Sequence, residues 1–164
     1  MASLGGVLHA EEPKELQADR LQFKQAGVHP DEAARANYVT TLVRLRERFV
    51  RSGTGGWQSV DAEIRHHPAP KNADSKTLSR TLVGAWTSPR HDYLNRKDGT
   101  WVMLPNEAGT AHGTWRIEGN QFYSVDLTDQ NKSRHPYTIV LLTGRDFVFT
   151  DGETVFYETR KRWF

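Results

Sequence analysis

The chain contains no cysteine. Disulfides, thiolate metal sites and a cysteine nucleophile are therefore excluded. No apolar run approaches the roughly 18 residues that a membrane-spanning helix needs. No block of one charge exists either. Residues 1–79 and residues 80–164 each hold 11 basic and 10 acidic residues, so neither half is a basic domain built for an acidic partner. The net charge is only +2, and a nucleic-acid partner is not expected. The sequence also lacks Gly-x-Ser-x-Gly, His-Glu-x-x-His, a phosphate loop and Gly-x-Gly-x-x-Gly. Carboxylate pairs such as Asp126 and Asp129 lie near a turn and read as solvated charges, not as an acid/base dyad. The expectation is a protein that is not an enzyme and carries no cofactor.

Residues 1–10 read in two ways. Leu4-Gly5-Gly6-Val7-Leu8-His9-Ala10 ahead of Glu11-Glu12-Pro13 resembles the end of a signal segment cut after Ala10, or a disordered N-terminus. An exported, periplasmic or extracellular origin is the favoured expectation, with the cytoplasm left open.

Residues 11–66 carry helical signals. Over 11–27, Pro13 and the acids suit a first turn, and Leu16 and Phe23 share one thin apolar face. Pro30-Asp31-Glu32 opens the clearest helix. Tyr38, Leu42, Leu45 and Phe49 follow at steps of 4, 3 and 4 and form a seam, and Ser52-Gly53 ends it. A short third helix is predicted over 56–66, with Trp57, Val60 and Ile64 on one side. The short loops imply an antiparallel hairpin. Its narrow seam must lean on a partner, so residues 30–52 are candidates for homo-oligomer contact. Arg44, Arg46, Arg48 and Arg51 read as a solvated face, with anionic-lipid or phosphate binding the sharper alternative. Residues 67–79 hold two prolines, small residues and charges, and read as a linker.

Residues 80–164 are a series of short aromatic segments punctuated by glycine. Strands are predicted over 81–88, 91–96, 99–104, 111–117, 121–128, 136–142, 145–150 and 153–162. Asp98-Gly99, Gly119-Asn120, Thr143-Gly144 and Asp151-Gly152 supply the turns. Consecutive hairpins make a meander, and about eight strands in one meander close on themselves, because closure removes sticky edges. The fold class is therefore α+β: an N-terminal α-helical hairpin followed by a small antiparallel meander β-barrel.

Leu82-Val83-Gly84-Ala85-Trp86, Asp98-Gly99-Thr100, Gly113-Thr114-Trp115-Arg116-Ile117-Glu118-Gly119-Asn120 and a late arginine resemble the lipocalin-like superfamily. They are most similar to its short bacterial lipocalin-like domains of unknown function. The resemblance covers residues 80–164, about half of the chain. It implies that Gly84 and Trp86 help to close one end of the barrel, with Arg160 or Arg162 stacked on the indole. It also implies a small-molecule binder, with an apolar or aromatic ligand at the barrel mouth. This barrel is much shorter than a secreted lipocalin, which argues against a roomy cavity. The candidate ligand contacts are Trp101, Trp115, Tyr123 and Tyr137. A metal site is not expected; its weak candidates are His91, Asp92 and His112, since zinc needs three or four converging ligands. The alternative to a binding module is a structural or assembly protein that uses the helical hairpin.

Overall fold

The computed structural model describes residues 12–25, 31–107, 109–129 and 136–161. The expectations for residues 1–10 and for Arg162 lie outside the described residues. The chain divides into two compact units, Met1–Glu63 and Ile64–Phe164.

The first unit holds α1 (Lys14–Gln25), α2 (Glu32–Ser52) and most of α3 (Trp57–Arg65). Asp31 caps α2, its carboxylate accepting the Ala34 N–H at 2.7 Å, and Gly53 ends it at φ +67. The seam residues Tyr38, Leu42 and Leu45 are buried. The thin stripe of α1 is supplemented by more specific contacts. Phe23 stacks on Tyr38 with ring centroids 4.2 Å apart. The Glu63 carboxylate accepts from the Tyr38 hydroxyl at 2.9 Å and from Arg20 at 2.7 Å. Arg20 also reaches Glu12 at 2.7 Å. Glu63 therefore ties α3 to both other helices.

The second unit begins with the end of α3. A non-helical strap then leads to α4 (Ser75–Leu82). Eight strands follow: β1 (Gly84–Thr87), β2 (Asp92–Asn95), β3 (Thr100–Leu104), β4 (His112–Glu118), β5 (Gln121–Asp126), β6 (Tyr137–Leu142), β7 (Asp146–Thr150) and β8 (Val155–Arg160). They form one closed barrel in sequence order, with every neighbouring pair antiparallel. The architecture is thus α+β, as the sequence predicts.

One segment differs. Residues 75–79, read as linker, and 81–82, read as strand, form helix α4. Asp74 caps it by accepting the Lys76 N–H at 3.1 Å, and Leu78 and Leu82, one turn apart, both pack into the barrel core. The strap ahead of α4 is bonded to the barrel as well. The Ala69 N–H donates to the Ile139 carbonyl at 2.9 Å, and the Ala69 carbonyl accepts from the Asn120 amide at 2.6 Å. The Gly119 N–H donates to Ser75 Oγ at 2.7 Å. With α4 packed on β4 and β6, one end of the barrel is covered. The other end is where β1, β3, β5 and β7 finish.

Two seams in the wall are short. β8 is registered with β1 only at Trp86–Arg160 and Thr87–Thr159. β5 is registered with β6 only at Gln121–Thr138 and Phe122–Tyr137. β4 and β5, by contrast, stay paired from Gly113–Asp126 to Glu118–Gln121.

Candidate functional site

Cross-strand partners point to the same side of a sheet, so the register sorts every strand into an inner and an outer set. Fully buried Trp86 opposes Arg160, and buried Phe147 opposes Glu158. Phe156, Glu158 and Arg160 therefore face inward. Trp101 opposes Gly113, Trp115 opposes Ser124, and Phe122 opposes Tyr137.

The covered end is built around Trp86. Its indole N–H donates to the Leu82 carbonyl at 2.7 Å. The Arg160 guanidinium lies 4.2 Å from the indole centroid. It also donates to the carbonyls of Val83, at 2.6 Å, and Thr81. Such stacking contributes about 0.5–2 kcal/mol, more where water is excluded. Gly84 makes room for it. At φ +130 a side chain is strained, and a Cβ would collide with the Arg160 guanidinium. Gly84, Trp86 and Arg160 thus meet at one place.

Above them the interior is filled with rings. Phe122, Tyr137, Phe147, Phe149 and Phe156 pack with centroid separations from 4.6 to 6.2 Å, mostly edge to face. A small barrel fills itself with side chains in this way.

The three inward tryptophans differ in one respect. Trp86 and Trp115 have satisfied N–H groups, the latter donating to the Thr100 carbonyl at 3.0 Å. Trp101 is 8% exposed, and its N–H is buried without a hydrogen-bond partner. Its indole lies across Gly113, where a Cβ would stand 2.6 Å from the indole nitrogen, and its ring meets Tyr93 edge-on at 5.8 Å. A cleft of about 420 Å³ runs along β3 towards the β3–β4 loop and is bordered by Trp101, Val102, His112, Gly113 and Leu127.

The other candidates separate. Tyr137 joins the inner aromatic cluster. Tyr123 does not: alternation puts it on the outer face of β5, where Arg116 lies 3.9 Å over its ring. His91, Asp92 and His112 do not converge. Asp92 pairs with Lys161, whose ammonium holds the carboxyl below its usual range, with help from the Thr87 hydroxyl. His91 and His112 are exposed, the first in the β1–β2 turn and the second at the start of β4. Among the described residues, no three His, Asp or Glu side chains are placed to hold a metal ion.

Sequence reasoning missed Glu158. Its side chain is enclosed by the barrel wall yet keeps a strip of accessible surface. Burial, with nothing to replace the lost hydration, pushes its pKa up to about 7. The signal was present in the sequence: once Arg160 is placed inward against Trp86, strand alternation carries Glu158 inward with it.

The geometry defines a class: a closed eight-stranded barrel with one covered end, an aromatic interior, a buried Trp101 N–H without a partner and an inward Glu158 carboxyl. Set against family models, curated proteins and solved structures, the chain matches none of them. Among the described residues no helix is long and apolar enough to cross a membrane.

Proposed function

We propose that this is a non-catalytic, exported binding module of lipocalin-like type, which takes a small apolar or aromatic molecule into the loop end of the barrel. The observation that carries the reading is the Trp101 N–H. A buried donor left without an acceptor costs about 1–3 kcal/mol. Trp101 also lines a cleft of about 420 Å³ together with Thr100, Val102, Glu107, His112 and Leu127, and a ligand reaching the N–H from there with one acceptor atom would restore the bond while covering the indole. The covered opposite end, where Arg160 stacks on Trp86, supports the lipocalin-like comparison. Export rests on the reading of residues 4–10 alone. Assembly through residues 30–52 is less favoured, because Tyr38, Leu42 and Leu45 are already buried within one chain.

Native mass spectrometry of the full chain purified from its own host tests the proposal. We expect a small molecule to be retained by the wild type and depleted in Trp101→Phe, which keeps the ring but removes the donor. Bare protein in every preparation of both forms would overturn it.

A further inference from the structure

Glu158 is the one charged inner residue of β8 that the barrel does not use. Its neighbour on that face, Arg160, is committed to the Trp86 ring and to the carbonyls of Val83 and Thr81. Across the strand pair stands Phe147, and one step along lies Phe156. Among the described residues, no hydrogen bond or ion pair is made to the Glu158 carboxyl. The other titratable inner residues are Tyr93 on β2, Asp126 on β5 and Tyr137 on β6, and none of these is a cation at neutral pH. Asp126 is engaged by the Thr128 N–H at 2.9 Å and by its hydroxyl.

The place is also reachable. The register of β8 with β1 ends at Thr159–Thr87. Continued by one step it would set Glu158 against Ser88, but there the chain turns away. The Ser88 hydroxyl instead accepts the His91 N–H at 3.0 Å, forming the β1–β2 turn. Glu158 therefore stands one step beyond the last registered β8–β1 pair, beside Phe147 and Phe156 and partly accessible. An anionic acceptor with no ion pair among the described residues, flanked by Phe147 and Phe156, has the composition of a site for a small organic cation.

We infer that Glu158 is the anchor for the ammonium of a small aromatic or alkyl amine, held against Phe147 and Phe156 at the β8–β1 seam. The inference rests on the reading of the barrel as a binding module, and it narrows the ligand to a cationic class. Apolar burial supplies most of the affinity, and the carboxylate supplies the choice of charge.

The test uses three near-isosteric probes on the full chain by titration calorimetry at about pH 8: 3-phenylpropan-1-amine, 3-phenylpropan-1-ol and 3-phenylpropionate. The amine should bind at least about tenfold more tightly than the alcohol, and the acid should bind least. Glu158→Gln should erase the preference for the amine and leave alcohol binding within about twofold. A melting curve that matches or exceeds the wild type confirms that this variant is folded. Trp101→Phe, which probes the broader reading, should weaken the alcohol and the acid, whose oxygens accept from the indole N–H, and spare the amine, whose ammonium has no acceptor. Equal binding of amine and alcohol, or an amine preference that survives Glu158→Gln, overturns the cationic class while the barrel reading stands. An amine preference lost in Glu158→Gln, with alcohol and acid binding untouched by Trp101→Phe, upholds the anchor and removes Trp101 from the site. No binding of any probe at millimolar concentration overturns both.

Discussion

Glu158 faces inward with no ion pair among the described residues, the nearby Arg160 being engaged on Trp86, and this has a consequence for stability. Its folded pKa, about 7, lies above the ordinary value of 4.5. The folded form therefore keeps a proton that the unfolded form has released. Between those two values stability falls as pH rises, and above the higher one the loss is complete. The difference amounts to at most about 3 kcal/mol, and the accessible strip beside the seam reduces it. Glu158→Gln should be the more stable form at about pH 8 and equal to wild type near pH 4, measured by urea unfolding at both values. A variant less stable at the higher pH would mean that the carboxylate has a partner. Asp92 runs the other way: held low by Lys161, it contributes stability above the usual carboxylate range that is lost as pH falls. Gly84 sets a second test at this scale. Gly84→Ala should cost about 1–3 kcal/mol in thermal unfolding, because strain at φ +130 comes with displacement of Arg160 from the Trp86 ring.

At the scale of elements, Glu63 is the sharpest case. One carboxylate accepts from α1 through Arg20 and from α2 through Tyr38, so the three helices share a single acceptor. Burial and the neighbouring Glu63 carboxylate raise the Tyr38 hydroxyl well above its usual range, so it remains a donor at every accessible pH. Glu63→Ala removes the acceptor that α1 and α2 share, although Arg20 keeps Glu12, and should cost about 1–3 kcal/mol, read as a lower urea midpoint by far-ultraviolet circular dichroism. The elements differ in how legible they were. The strands announced themselves because period-two alternation and glycine turns are local properties: β4, with His112, Thr114 and Arg116 outside and Gly113, Trp115 and Ile117 inside, carries its own pattern. The Trp86–Arg160 pair was legible through a resemblance. Helix α4 was not, because two leucines in eight residues behind Pro68 and Pro70 carry too little apolar surface to specify a helix alone. Its stability comes from the barrel end it covers. Tyr123 was misplaced for a simpler reason: aromatic character was weighed before parity, and parity puts it outside.

The strap and α4 also decide what the barrel is as a folding unit. A cut at residue 77 looks natural if the segment before it is a linker. The hydrogen bonds contradict that. Such a cut removes the Ala69 bonds to Ile139 and Asn120, at 2.9 and 2.6 Å, and the Ser75 bond to Gly119, at 2.7 Å. It also removes the Asp74 cap of α4 and so releases the helix that brings Leu78 and fully buried Leu82 to the core. At about 1 kcal/mol for each bond, and about 1.5–3 kcal/mol for exposing a buried leucine, the loss is a large share of the 5–15 kcal/mol that typically holds a domain. Residues 64–164 should therefore unfold in one cooperative transition and keep the near-ultraviolet signal of their packed tryptophans. Residues 77–164 should lose that signal, or unfold at far lower urea. Equal midpoints for the two fragments would mean that the eight strands close without their cover, and that the strap is a tether after all.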